Sequence, residues 1–208
     1  AVAEPLLELG FVNSGYRVIG RAPAAKSGSC NIDVVCPDAD GWRDEIATVG
    51  LISIAGSFVC TGALVNNTAA DATPYLLTAD HGGISAIRAP SVVVYWNFES
   101  PTCGQQGGGS LAQFTSGAVL RATWATTDFT LLELDEAPDP AFGVKYAGWN
   151  RGETPPTSAT AIHHPSSDEK SISFETAAVV PASYLASTTP GNGTHLRVID
   201  WDLGTTEP

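Results

Sequence analysis

Basic residues are scarce in this 208-residue chain: ten lysines and arginines stand against 22 aspartates and glutamates, for a formal charge of −12 at pH 7. A field of that sign works against a sequence-independent grip on nucleic acid phosphates, and no nucleic acid partner is expected. Long apolar runs are missing too. The longest, such as Ser91-Val92-Val93-Val94-Tyr95-Trp96, fall far short of the roughly 20 residues that cross a bilayer, so no membrane partner is expected. No stretch beyond a dozen residues carries the 3.6-residue apolar rhythm of a surface helix, and no segment repeats at a fixed period. Ala1-Val2-Ala3-Glu4-Pro5 offers no basic region ahead of an apolar stretch, so an intact signal peptide is not expected. Charged residues are only 15% against 43% hydrophobic, which excludes disorder of the weakly apolar, highly charged kind. Methionine is absent and cysteines number four, a usage that fits an exported protein with disulfides better than a cytosolic one.

What is present is punctuation and alternation. With 21 glycines and 14 prolines, the chain is cut into short strand-like runs. Residues 49–54 and 57–65 are joined through Ala55-Gly56, as in a tight hairpin. Further strands are expected at 75–79, 91–98, 118–123, 129–134, 144–149, 159–163, 172–180 and 195–201. The class is all-β, with a sandwich and barrels both open on composition. Asp135-Glu136-Ala137-Pro138-Asp139-Pro140 is the best boundary between two β units, because two prolines and three acids do not sit inside a central strand. Residues 1–29 form a separate arm, strand-like at 6–12 and loose from 20 to 29. Gln105-Gln106-Gly107-Gly108-Gly109-Ser110 is a flexible loop without the following helix that a phosphate cradle needs.

Four histidines occur: His81, His163, His164 and His195. In Leu76-Leu77-Thr78-Ala79-Asp80-His81 a histidine arrives as an apolar strand runs out. Asp128 heads another, Asp128-Phe129-Thr130-Leu131-Leu132-Glu133-Leu134. Singly, such a histidine is more often structural and such an aspartate more often a turn former. Together they match a general base and the carboxylate that fixes its tautomer, which needs a hydroxyl or thiol in front. Thr-Ala-x-His at a strand end with a later Asp at a strand start resembles the chymotrypsin-like serine proteases.

The resemblance narrows to the bacterial secreted lysyl endopeptidases and their close relatives. It is carried by Ser27-Gly28-Ser29-Cys30-Asn31-Ile32-Asp33-Val34-Val35-Cys36-Pro37, Cys60-Thr61-Gly62-Ala63-Leu64-Val65-Asn66-Asn67-Thr68, Val92-Val93-Val94-Tyr95-Trp96-Asn97, the Asp128 to Leu134 run and Ala161-Ile162-His163-His164-Pro165, over about residues 27 to 208. It implies a chymotrypsin-like double β-barrel whose second barrel is incomplete in this chain: an arm or pro-segment remnant at 1–29, a first barrel at 30–135 and part of a second at 136–208. It also implies a secreted, extracellular bacterial serine endopeptidase acting on peptide or protein substrates. His81 is then the general base and Asp128 its orienting carboxylate. Preference for Lys is inherited from the family name alone. His163 and His164 fall on a second-barrel strand; adjacent residues alternate faces, so neither is read as a metal ligand, and His195 is structural. No cofactor is required, and no calcium loop stands out.

Three departures from the family pattern stand out. The family's nucleophile lies in a Gly-Ser-Ser-Gly-Ser-Pro type segment directly after a Thr-Glu-Pro stretch, and this chain stops at Thr205-Thr206-Glu207-Pro208. The serine and its oxyanion hole are therefore not in this chain, which alone is expected to be inactive. Ser57, Ser110 and Ser116 each adjoin a glycine, but nothing puts a base beside them. Among the cysteines, the resemblance pairs Cys36 with Cys103. It pairs Cys60 with the residue after the histidine, here Gly82, and sends Cys30 to the C-terminal region. Cys30 and Cys60 are then free, re-paired, or, for Cys30, linked to a second polypeptide carrying the serine. Asp80 is the last departure, a further carboxylate that would favour the imidazolium if it faced the ring.

Two alternatives stand beside the enzyme reading: a non-catalytic homologue acting as a binding module, and an inactive processing fragment. Retention of both His81 and Asp128 favours the enzyme. Loss of the cysteine beside His81 favours the binding module. Asn66 and Asn192 head Asn-x-Thr sequons, which matter only in a eukaryotic secretory route.

Overall fold

The computed structural model describes residues 27–56, 58–184 and 193–207. The strand expected at 6–12, Ser57 and the Asn192 sequon lie outside these residues. Among the described residues twelve strands form, in chain order β1 (Ile32–Asp33), β2 (Val49–Ile54), β3 (Phe58–Val65), β4 (Tyr75–Thr78), β5 (Val92–Trp96), β6 (Phe114–Ser116), β7 (Ala118–Trp124), β8 (Phe129–Leu134), β9 (Ala159–His163), β10 (Ser171–Glu175), β11 (Val180–Ala182) and β12 (His195–Arg197). Among these residues helix is limited to the single turn α1 (Arg43–Ile46) and short 3-10 turns. The fold is all-β, of the chymotrypsin-like type.

Seven strands make one curled antiparallel sheet in the order β6-β5-β2-β3-β4-β8-β7. Its inner face buries Ile52, Ile54, Leu64, Leu76, Val94, Trp96, Leu132 and Leu134. Each side chain of this size contributes about 1.5–3 kcal/mol on burial, so the cluster supplies the main cohesive force of the unit. Period-2 alternation produces it: β4 and β8 alternate half-buried and buried residues along their length. The Trp96 indole N–H donates to Thr115 Oγ1 at 3.0 Å, which satisfies the one polar atom that this ring takes inside. A Cβ at Gly50 would lie 2.6 Å from Val94 Cγ1 and 3.0 Å from the Trp96 ring, so glycine makes room for these side chains of the neighbouring β5.

A second unit is built from the order β1-β10-β9 and the pair β11-β12. β1 joins it from the N-terminal side, with Ile32 opposite Ile172 and Asp33 opposite Ser171. Val34, Ala39, Ile46 and Ile172 form its buried cluster. Cys36 and Cys103 are disulfide-bonded across 67 residues of sequence, a closure that constrains the unfolded chain by about 4 kcal/mol in the loop-entropy account. Between the units lies a polar seam. Lys170 is wholly buried and its Nζ donates to Ile46 O at 2.9 Å and Glu99 Oε1 at 3.1 Å. The Asp33 carboxylate accepts from Ser100 Oγ at 3.0 Å and from the Gly104 N–H at 2.8 Å.

The strand expected at 144–149 is not formed. Val144 and Tyr146 pack on the core, but the ladder is limited to one parallel bridge, Ala147 with Val65. Alternation there serves a crossing segment rather than a strand. The expected 172–180 run breaks after Glu175, because Thr176 turns to Asp202, whose Oδ2 accepts its N–H at 2.8 Å, and Ala177 N–H donates to the Glu175 side chain. The 195–201 run shortens to three residues. β1 and β6, two and three residues long, carried no legible alternation.

Candidate active site

β4 and β8 are antiparallel neighbours, with Thr78 opposite Thr130. His81 follows the end of β4 by three residues and Asp128 precedes β8 by one, so sheet register alone brings them to the same edge. After Thr78 the chain enters the 3-10 turn Asp80–Gly82, closed by Gly83 at φ 68°. Asp128 ends the turn Ala125–Thr127 at φ 51° and ψ 43°. Aspartate tolerates that left-handed conformation better than most side chains do.

The carboxylate grips the histidine turn at two points. Asp128 Oδ1 accepts the His81 backbone N–H at 2.8 Å, and Oδ2 lies 2.6 Å from His81 Nδ1. The Asp80 N–H donates to the Asp128 carbonyl at 3.2 Å, joining the two turns by backbone as well. Burial alone would raise the Asp128 pKa. The hydrogen bonds from the His81 N–H and ring, the ring's charge and the Asp80 N–H outweigh it and hold the carboxyl below its ordinary value. An ionised carboxylate on Nδ1 keeps the proton there and leaves Nε2 as the acceptor. The His81 side chain is 63% exposed and that of Asp128 17%, so the acceptor nitrogen belongs to an accessible ring backed by a sheltered anion.

Asp80 is turned away from this pair. Its Oδ1 accepts from Thr123 Oγ1 on β7, and Thr123 Oγ1 also lies 3.0 Å from Thr130 Oγ1. Among the described residues the carboxylate in ion-pair range of the His81 ring is that of Asp128. Thr123 is the residue that sequence reasoning passed over. Its signal was cross-strand, in the β7–β8 register that sets Thr123 opposite Thr130.

Cys60 is a free, half-buried thiol beneath the His81 turn, 3.6 Å from Thr78 Oγ1; Cys30 is free and exposed. A Cβ at Gly82 would lie 3.6 Å from Cys60 Sγ. Ser110 Oγ accepts from the Ala112 N–H, and Ser116 is on β6 at the far side of the sheet. Among the described residues no hydroxyl is hydrogen-bonded to the His81 ring.

The other histidines lie apart. His164 stacks on Phe98 with ring centres 6.0 Å apart and donates through Nδ1 to Asp168 O at 2.9 Å. Burial, helped by the Lys170 charge, pushes its pKa down to about 3. His163 has both ring nitrogens buried without a hydrogen-bond partner. Burial lowers its pKa and the nearby Glu207 charge opposes this. His195 Nδ1 lies 2.8 Å from Thr194 Oγ1, and the ring packs on Tyr184. Among the described residues no three of His, Cys, Asp and Glu are grouped to hold a metal ion.

A curled antiparallel sheet with an exposed imidazole backed by a carboxylate at its edge defines an all-β protein of the chymotrypsin-like class. Residues 24–208 match the lysyl endopeptidase C-terminal domain family, and the chain belongs to that family. A curated relative, the lysyl endopeptidase of Pseudomonas aeruginosa, is 29% identical over 211 residues, covering 95% of this chain and 44% of the relative. The chain therefore spans less than half the length of that relative.

Proposed function

We propose that this chain supplies the general base and its orienting carboxylate to a secreted serine endopeptidase. The observation that carries the reading is the two-point hold of Asp128 on His81, through the ring Nδ1 and the backbone N–H. With Nδ1 protonated against Asp128, Nε2 takes the proton of a serine hydroxyl as its oxygen attacks a peptide carbonyl. The resulting imidazolium is stabilised by the Asp128 anion and then protonates the leaving amine. The serine and the oxyanion-binding N–H groups come from polypeptide outside these 208 residues, and Cys30, exposed and free, suits a disulfide to it. By itself the chain is then inactive. The relative's name supports cleavage after lysine. The disulfide Cys36–Cys103 supports an oxidising, extracellular setting. In this reading residues 1–29 are an arm or pro-segment remnant, 30–135 the first barrel apart from β1 and its cluster, which pack with β10, and 136–208 part of the second.

A second reading, a non-catalytic binding module, is favoured by one observation: Cys60 faces Gly82, so no disulfide braces the His81 turn. Intact mass of the purified gene product, reduced and non-reduced, combined with a fluorophosphonate serine probe, separates the two. Probe uptake by a polypeptide linked to or continuous with this chain supports the endopeptidase. A species that ignores the probe overturns it and favours the binding module.

A further inference from the structure

The last described residues lie in register on the sheet. Leu203 exchanges backbone hydrogen bonds with Phe174 of β10, at 2.8 and 3.2 Å, and Ser173 Oγ donates to Thr205 O. Gly204, at φ 82°, makes this approach possible, since a Cβ there would stand 2.8 Å from Ile172 O. The segment then ends in a clamp. Glu207 Oε1 accepts from the Gly28 N–H at 2.8 Å and from Asn31 Nδ2 at 3.0 Å, and Ser166 Oγ lies 3.5 Å from Oε2. A Cβ on Gly28 would fall 2.6 Å from Glu207 Oε1, so a side chain there would push the carboxylate from this seat.

The loop that grips Glu207 is itself fixed. Ser27 is buried and its Oγ donates to Asp168 Oδ2 at 3.1 Å, while Asn31 N–H and Nδ2 both donate to Gly28 O at 3.1 Å. Opposite, Ser166 and Ser167 take φ of 49° and 69° in succession, a sparsely populated conformation that persists where surroundings enforce it. Among the described residues the hydrogen-bond partners of the Glu207 oxygens are the neutral donors of Gly28, Asn31 and Ser166, with no lysine or arginine. The carboxylate is thus seated by directed hydrogen bonds rather than by a salt bridge.

We infer that Glu207 is a positioning residue, through which the loop 27–31 fixes the point of departure of the nucleophile-bearing segment. The inference rests on the proposed endopeptidase reading. In that reading the serine and the oxyanion donors lie on polypeptide outside these 208 residues that packs against this strand end, and their placement against His81 Nε2 is set by where the strand end is anchored. A displacement of about 1 Å at a reacting group can cost 100-fold in rate, so an anchor of this kind acts on the chemical step rather than on substrate binding.

The test uses the complete gene product, reading the rate of fluorophosphonate labelling and kcat and KM on a lysyl amide substrate, each corrected for folded fraction. Glu207→Ala and Asn31→Asp are expected to lower kcat and labelling by about 10- to 100-fold with KM little changed. Glu207→Gln, whose Oε1 still accepts from Gly28 and Asn31, is expected to stay near the wild type. Ser100→Ala, which removes a hydrogen bond to Asp33 elsewhere in the seam, controls for general loosening and is expected to leave kcat unchanged. Unchanged rates in Glu207→Ala and Asn31→Asp would overturn the inference. So would an equal loss in Glu207→Gln, which would make the charge essential, or an equal loss in Ser100→Ala. If the wild type takes up no probe, the endopeptidase reading fails and the inference falls with it.

Discussion

Asp128 holds His81 by ring and backbone together, 2.6 Å from Nδ1 and 2.8 Å from the N–H. The two contacts do different work. The first sets the tautomer; the second sets where the turn stands relative to the sheet edge. Asp128→Asn keeps a carbonyl for one of them but not an anion for the ring, and is expected to lower turnover of the complete molecule by about 10⁴-fold without unfolding it. His81→Ala should do at least as much. Steady-state amidase assays beside thermal melts check this, and unchanged turnover in either variant removes that residue from the mechanism.

Cys60 Sγ stands 3.6 Å from the place of a Gly82 Cβ. Gly82→Cys is therefore expected to form a disulfide spontaneously in air, since Gly82 is not one of the glycines that need a positive φ. Closing this loop should raise stability by about 3 kcal/mol. Thiol counting on the denatured protein and non-reduced mass read the outcome. A variant that still shows both thiols would mean that the β3 thiol and the His81 turn are farther apart in solution.

His81 and Asp128 were legible in the sequence because each marks the end of an apolar run, and ends of neighbouring strands meet. Strands β4, β5 and β8 of the seven-stranded sheet were legible for a related reason, their side chains alternating between a buried and a half-buried face, whereas β2, buried throughout, was legible as an apolar run. Alternation misled at Val144 and Tyr146, where packing against the core imitates a strand without a ladder. What escaped was contact that neither a strand end nor the resemblance marks. The direction of Asp80 is decided by Thr123, two strands away on β7, and the grip of Gly28 on Glu207 spans nearly the whole chain. No local pattern encodes either contact.

The Thr123 hydroxyl lies within hydrogen-bond range of Asp80 Oδ1, Phe129 O at 3.2 Å and the buried Thr130 Oγ1. Thr123→Val keeps the shape and β-propensity but removes the hydroxyl from all three, at an expected cost of about 1–3 kcal/mol. Thr123→Ser should restore most of it. Urea unfolding of the three proteins reads the difference. Equal midpoints for valine and threonine would show that the Asp80 carboxylate is satisfied by solvent instead.

The acid limb of stability is expected to carry the signature of His164. Its folded pKa of about 3 lies below the ordinary 6.5 because burial disfavours the imidazolium, and the Lys170 charge adds to this. Between these values the unfolded chain binds a proton that the folded chain refuses, so stability rises with pH through this window and is lost as pH falls from 6.5 towards 3. His164→Phe keeps a flat ring against Phe98, loses the Nδ1 hydrogen bond to Asp168 O, and removes the titration. It is expected to be less stable than the wild type at pH 7, but to lose less on going to pH 4.5, by about 3 kcal/mol. Urea midpoints at the two pH values check the difference. Parallel losses in both proteins would mean that His164 gains a proton in the folded state, and that the stack on Phe98 opens to water before the fold gives way.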